Sequence, residues 1–233
     1  MIPLRDTVPS STFPVVTVAL IVINGAIFIF EWFLGSDISV LFSVLGIIPA
    51  KYFWMAQHQP ADYLGRFGPL VSSMFLHGGW MHVISNMWYL WIFGDNVEDR
   101  MGHKKFLLFY VLCGLGAGLT HIYLNSDSPI PTVGASGAIA GVMGAYIVLY
   151  PKARVMTLLP IFIFIQIIEI PAYFFLGFWI LLQFFQGTMA LGAEAHTGGV
   201  AWWAHLGGFV FGALLVFLFR KPEGRYVVVE EDR

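Results

Sequence analysis

Residues 134–150 read Gly134-Ala135-Ser136-Gly137-Ala138-Ile139-Ala140-Gly141-Val142-Met143-Gly144-Ala145-Tyr146-Ile147-Val148-Leu149-Tyr150, an apolar run without a charge that opens on its single serine. As a helix of about 16 residues with a rise of about 1.5 Å it is roughly 24 Å long, shorter than the roughly 30 Å hydrocarbon core of a bilayer. A second such run, 201–219, begins with Ala204-His205-Leu206-Gly207-Gly208. Polar side chains at bilayer depth are costly, so they face a protein interior or a water cavity and usually mark a functional site. A serine and a histidine able to meet suggest nucleophilic chemistry inside a membrane.

The surrounding composition supports the membrane. Hydrophobic residues make up 58% of the 233 and charged residues 11%, with a mean hydropathy of +0.77, against about 45–50% and about 25% for soluble domains. The net charge of −2 and a pI near 6.4, with no basic run, argue against nucleic acid as a partner. Cys113 is the only cysteine, which excludes an intrachain disulfide and a cysteine-based zinc cage. It is expected to be a small packing residue.

Six segments are expected to span: 14–34, 80–97, 105–124, 135–150, 171–185 and 201–219. The first is expected to be a retained anchor rather than a signal peptide, because it is long and no small-x-small cleavage site follows. The connection 35–79 mixes Tyr52, Phe53 and Trp54 with prolines and glycines, which predicts an interfacial structure. Residues 155–170 are apolar but bounded by Pro160 and Pro171, so the fifth span begins earlier or follows a re-entrant segment. The expected fold is an all-α membrane helical bundle of six spans, one domain over residues 1–233.

With the N-terminus inside, the inner side carries Arg5, Arg100, Lys104, Lys105, Lys152, Arg154, Arg220, Lys221, Arg225 and Arg233. The outer side carries only Lys51 and Arg66. This positive-inside bias predicts cytoplasmic termini. It brings Ser136, His205 and the group His77, His82 and Asn86 to the outer ends of spans four, six and two, a convergence that the charge count did not require.

On helices, His205, Gly208 and Gly212 share one face, as do Ser136, Ala140 and Gly144, and small residues at that spacing allow close packing in lipid. Packing these faces would carry the serine hydroxyl toward the imidazole, which can remove its proton during attack. His82 and Asn86, four residues apart, share a side of span two and are candidate donors to an oxyanion, together with the Ser136 backbone N–H. His77 fits that face less well and reads as a structural hydrogen-bonding residue. No H-E-x-x-H is present and His58, His103, His121 and His196 are scattered, so neither a metal nor another cofactor is expected. His196 is a minor rival for the base. Ala138 breaks a G-x-S-x-G elbow.

At these residues the chain resembles the rhomboid intramembrane serine proteases. His77-Gly78-Gly79-Trp80-Met81-His82-Val83-Ile84-Ser85-Asn86 resembles their second-span signature, Gly134-Ala135-Ser136-Gly137 their nucleophile motif, and Ala204-His205-Leu206-Gly207-Gly208 their base motif. The resemblance implies Ser136 as nucleophile, His205 as general base and acid, His82 and Asn86 as oxyanion donors, and a dyad without an acidic member. Asp127 and Glu194, in loops, are the only acids near the outer ends of spans four and six. It also implies transmembrane protein substrates, with a helix-weakening Gly or Pro and a small residue at the cleavage point, acted on in the lipid bilayer. Two departures stand out. An aromatic residue that packs on the base in many members, four positions after the nucleophile, is Ala140 here, and a Trp-Arg pair of the first connection is missing, with Pro69-Leu70 near its place.

Movement of span five, with Phe178 and Trp179 as its bulky residues, is a route by which a substrate would enter sideways. Rival readings are a catalytically silent relative that binds membrane clients, and a transporter or proton channel using the histidines as a relay. The channel reading is weakened by the lack of an internal repeat and by few intramembrane acids. Glu31 and Glu169 are the candidates, each read as interfacial or locally paired. A bacterial inner membrane is the expected location.

Overall fold

The computed structural model describes residues 1–161, 164–191 and 200–222. His196, Glu194, Arg225 and Arg233 lie outside them. The chain opens on a strand, β1 (Ile2–Asp6), followed by helix α1 (Val15–Leu34). The first connection is built from α2 (Ile38–Leu45), α3 (Pro49–His58), α4 (Tyr63–Phe67) and α5 (Pro69–Ser72), with 3-10 turns at Gly35–Asp37 and Ser73–Phe75. Then come α6 (Trp80–Met101), α7 (His103–Leu124) and α8 (Ser136–Leu149). A hairpin of β2 (Arg154–Ile161) and β3 (Phe164–Pro171) leads into α9 (Ala172–Leu191), and α10 (Trp202–Phe219) ends the bundle.

The result is a membrane helical bundle. Among the described residues, four helical stretches are long and apolar enough to cross a bilayer: Val15–Leu45, His103–Leu124, Ala172–Met189 and Trp202–Phe219. Helix α6 is less apolar because its C-terminal end carries Asp95, Glu98, Asp99 and Arg100, and α8, at 14 residues, is shorter.

The hairpin departs from the re-entrant or helical segment considered for residues 155–170. Beta-branched Val155, Thr157, Ile165, Ile167, Ile168 and Ile170 favour extended backbone, and β1 supplies a third antiparallel strand, giving the order β1-β2-β3. The central strand β2 pairs with β1 only through Val155–Leu158. Pro160 lies beyond that stretch, where its missing N–H interrupts no bond to β1. The same register brings Arg5 opposite Met156, and the Lys221 N–H donates to the Arg100 carbonyl at 2.9 Å. The four basic clusters assigned to the inner side therefore meet in two pairs, one at the sheet and one at the foot of α6 and α10.

Buried acids are partnered. Glu98 of α6 accepts from the Val16 and Thr17 N–H groups at 2.8 Å and from the Thr17 hydroxyl at 2.7 Å. It thus caps α1 from another helix, where Pro14 offers no capping side chain. Glu31 is 1% exposed and accepts the His77 N–H at 3.1–3.2 Å. Glu169, by contrast, is exposed and faces Arg154 across the hairpin at 3.8 Å.

The core lies between α6, α7, α8 and α10. Helices α8 and α10 touch backbone to backbone: a Cβ on Gly208 would strike the Gly137 carbonyl, one on Gly212 the Gly141 carbonyl, and one on Gly144 the Phe209 carbonyl. The α10 face is the one expected, whereas the α8 face centres on Gly137, Gly141 and Gly144 rather than on Ser136, Ala140 and Gly144. Cys113 of α7 fills the space beside Gly141 and is fully buried, in keeping with a packing role.

Candidate active site

Ser136 is the first residue of α8, so the free N–H groups of that helix end surround it. Its approach is braced by the first connection. Ile47 and Thr132 exchange backbone hydrogen bonds at 3.0 and 2.8 Å, and the Gly134 N–H donates to the Ser73 carbonyl at 2.8 Å. Gly134 has φ +133°, and a Cβ there would lie 2.7 Å from His82 Nε2 and 3.7 Å from Ser136 Oγ. Glycine is required on both counts. The same construction shows that the His82 imidazole and the serine hydroxyl flank one small volume.

His205, four residues into α10, is held against α8 by the glycine seam. Its Nε2 lies 2.7 Å from Ser136 Oγ, and its Nδ1 lies 2.6 Å from Gln183 Oε1. The Trp179 ring lies beside the imidazole with centroids 5.7 Å apart and planes 32° apart, and Trp202 meets it edge-on at 6.3 Å. The aromatic support missing at Ala140 is therefore supplied from α9 by Trp179, one of the two bulky residues of span five named above. Ala140 itself is fully buried.

His82 accepts from the Gly78 N–H at Nδ1, at 3.4 Å, which leaves Nε2 as the nitrogen that carries hydrogen. Asn86, one turn further along α6, is buried, and its amide nitrogen has no protein partner. Both groups offer a donor. His77 is fully buried, meets the His82 ring edge-on at 5.1 Å and donates its backbone N–H to Glu31. A small cavity of about 30 Å³ beside Ser136 is lined by Ser73, His121, Thr132, Gly134 and Ala204, among others. It is large enough for a water molecule and has polar groups to hold one.

Ser136, His205 and His82 thus come together at the ends of α6, α8 and α10, and Asn86 lies one turn along α6 from His82. Gln183 was not anticipated. A lone amide in Leu181-Leu182-Gln183-Phe184 carries the same signal, a polar group in an apolar span, that singled out Ser136 and His205. Among the described residues no group of three or more His, Cys, Asp or Glu is placed to hold a metal ion.

The Rhomboid domain family matches residues 64–222. Rhomboid protein 1, mitochondrial, of Saccharomyces cerevisiae is 27% identical over 164 residues, which cover 69% of this chain and 44% of the yeast protein. Rhomboid-like protein 11, chloroplastic, of Arabidopsis thaliana is 29% identical over 188 residues, 76% of this chain and 62% of that protein. Rhomboid protease GluP of Bacillus subtilis is 32% identical over 151 residues, 65% of this chain and 26% of that protein. The chain spans less than two thirds of the length of each. Their names include a mitochondrial and a chloroplastic protein beside a bacterial one, so the bacterial inner membrane expected from the sequence gains no support. With the family match extending over more than half of its length and over all three motifs, the chain belongs to the rhomboid family.

Proposed function

We propose that this protein is an intramembrane serine endopeptidase that cleaves peptide bonds in or near transmembrane segments of other membrane proteins through a Ser136–His205 dyad. The observation that carries this reading is the 2.7 Å approach of Ser136 Oγ to His205 Nε2, at a helix start and beside unengaged donors. A structural serine would need no base. In this mechanism the Ser136 hydroxyl attacks the scissile carbonyl while His205 Nε2 takes its proton. The tetrahedral oxyanion is met by His82 Nε2–H, the Asn86 amide and the Ser136 backbone N–H. His205 then protonates the leaving amine as the C–N bond breaks, and water, activated by the same base, hydrolyses the acyl-enzyme.

The substrate is a transmembrane protein whose helix is weakened by Gly or Pro, because an intact helix hides its amides in backbone hydrogen bonds. Its most natural entry is past α9. The long helices α1, α6, α7, α8, α9 and α10 account for six spans, with both termini on the inner side and the dyad toward the outer face. The ten-to-two distribution of Lys and Arg and the meeting of Arg5 with β2 and of Lys221 with Arg100 support this topology.

The test is cleavage of a single-span reporter with a helix-weakened segment by the protein in liposomes. Wild type is expected to cleave it, and Ser136→Ala and His205→Ala are not. Cleavage that survives Ser136→Ala, or that chelators abolish, overturns the reading. His82→Ala or Asn86→Ala is expected to lower turnover by roughly 10²–10³ where one donor dominates, with little change in KM. Unchanged turnover in both removes them from the oxyanion site.

A further inference from the structure

Gln183 follows Trp179 by four residues on α9, so the two side chains project from one face of the helix. That face meets His205. Gln183 is 7% and His205 8% exposed, and their 2.6 Å contact satisfies a ring nitrogen whose isolation would be costly. A primary amide oxygen only accepts. Facing it, Nδ1 must carry the ring proton, Nε2 must present its lone pair, and the Ser136 hydroxyl must donate to that lone pair across 2.7 Å. The opposite tautomer would set the Nδ1 lone pair against the amide oxygen and an N–H against the serine, and neither contact would be a hydrogen bond in the direction that catalysis needs.

We infer that Gln183 is a positioning residue of the dyad, holding His205 in the tautomer in which it acts as a base toward Ser136. The inference rests on the proposed Ser–His chemistry. No carboxylate among the described residues bonds to either ring nitrogen of His205. A neutral amide performs the orienting part of a third member without burying a charge beside lipid, where an unpaired carboxylate would be expensive. Its dipole also points negative end first at the imidazolium that forms during attack.

The test compares Gln183→Leu, which cannot accept, and Gln183→Met, whose thioether accepts only weakly, with Gln183→Glu, which accepts well. The full chain in liposomes is assayed for kcat and KM on the single-span reporter and for the rate at which a fluorophosphonate modifies Ser136. The tautomer is read from the nitrogen spectrum of protein labelled with 15N-histidine, with His205→Ala assigning the signal. The Leu and Met variants are expected to lose about 10–100-fold in kcat, part of the roughly 10²–10⁴ that a positioned proton-transfer group contributes, with KM held within about twofold. Ser136 modification should slow in parallel, and Gln183→Glu should restore most of the turnover. In wild type the His205 proton should sit on Nδ1, and in Gln183→Met that preference should be lost. A merely structural role would lower thermal stability without moving the tautomer. Full kcat and full labelling in the Leu and Met variants, or a wild-type proton on Nε2, overturn the inference. A wild type that neither cleaves nor labels, yet keeps its proton on Nδ1 through Gln183, overturns the protease reading and leaves the tautomer assignment standing.

Discussion

The two interfaces made by α10 differ in kind. Against α8 it packs backbone to backbone, with Gly208, Gly212 and Gly144 each within a missing Cβ of a carbonyl on the other helix. Against α9 it packs through long side chains, Trp179 and Gln183 on His205 and Phe184 on Trp203. The outer surface of α9 is largely uncovered, with Phe174, Phe178, Leu181 and Phe185 exposed. The reacting atoms therefore sit on the seam where backbones touch, and the groups that aim the base sit on a helix whose other face is exposed. A dyad needs both. The Oγ to Nε2 distance is a matter of helix separation, set by glycines, whereas the tautomer and tilt of the ring are matters of side-chain contact.

The sharpest way to break this contrast is to add one methyl group on each side of it. Gly208→Ala puts a Cβ into the Gly137 carbonyl, a backbone atom that can move only if α8 moves. Overpacking of this kind costs about 1–3 kcal/mol, and a shift of about 1 Å between reacting groups can cost about 10²-fold in rate. Turnover of the reporter is therefore expected to fall by about two orders of magnitude, with a lower melting temperature in detergent. Gly177→Ala on α9 has no heavy atom within 4 Å of the new Cβ and should leave turnover unchanged while gaining helix propensity. Equal effects of the two substitutions would erase the distinction between seam and flank.

A finer probe stays on α9. Trp179→Leu keeps an apolar side chain but removes the ring beside His205, and aromatic contacts of this type are worth about 0.5–1.5 kcal/mol beyond area. That corresponds to a loss of about 2–10-fold in kcat, which Trp179→Phe should largely avoid. Full turnover in Trp179→Leu would show that Gln183 alone seats the imidazole, and higher turnover would favour a role for Trp179 as an obstacle to substrate entry.

The same contrast explains what could be foreseen. Ser136, His205, His82 and Asn86 stood out because each is polar in an apolar run and because helical spacing fixes which of them share a face. Periodicity says which residues line up along one helix but not how far that helix is rotated toward its neighbour. The α8 stripe was accordingly expected one residue away from where Gly137 and Gly141 place it. Gln183 met the polar-in-apolar criterion as well as Ser136 did, but its partner lies on another helix, and spacing within α9 cannot point to it. The sheet was harder to foresee. Residues 154–171 divide into two short apolar runs with prolines near their ends, which periodicity cannot assign to helix or strand. The strand that completes them, β1, lies about 150 residues upstream and carries Arg5 and Asp6.

That remote strand supplies the smallest and most specific test, because it ties the rigid seam to the sheet that runs into α9. Asp6 of β1 accepts a hydrogen bond from the Tyr146 hydroxyl of α8 while its neighbour in β2, Val155, is fully buried. Burial, followed by the nearby charge of Asp95, raises the Asp6 carboxyl from 3.8 to about 6, although the bonds from Tyr146 and the backbone pull the other way. For an acid whose pKa is higher folded than unfolded, the folded state binds the extra proton between the two values. Stability contributed by Asp6 is therefore greatest below about pH 4, falls as pH rises from about 4 to about 6, and is flat above that. Asp6→Asn keeps an acceptor for Tyr146 and cannot titrate. Melting temperatures in detergent between pH 4.5 and 7.5 should fall more steeply for wild type than for Asp6→Asn. The difference should stay within about 2–4 °C, the shift that about 1 kcal/mol produces in a protein of this size, since a half-exposed carboxylate is partly screened. Parallel curves would mean that the sheet and the α8 seam are not coupled through this residue.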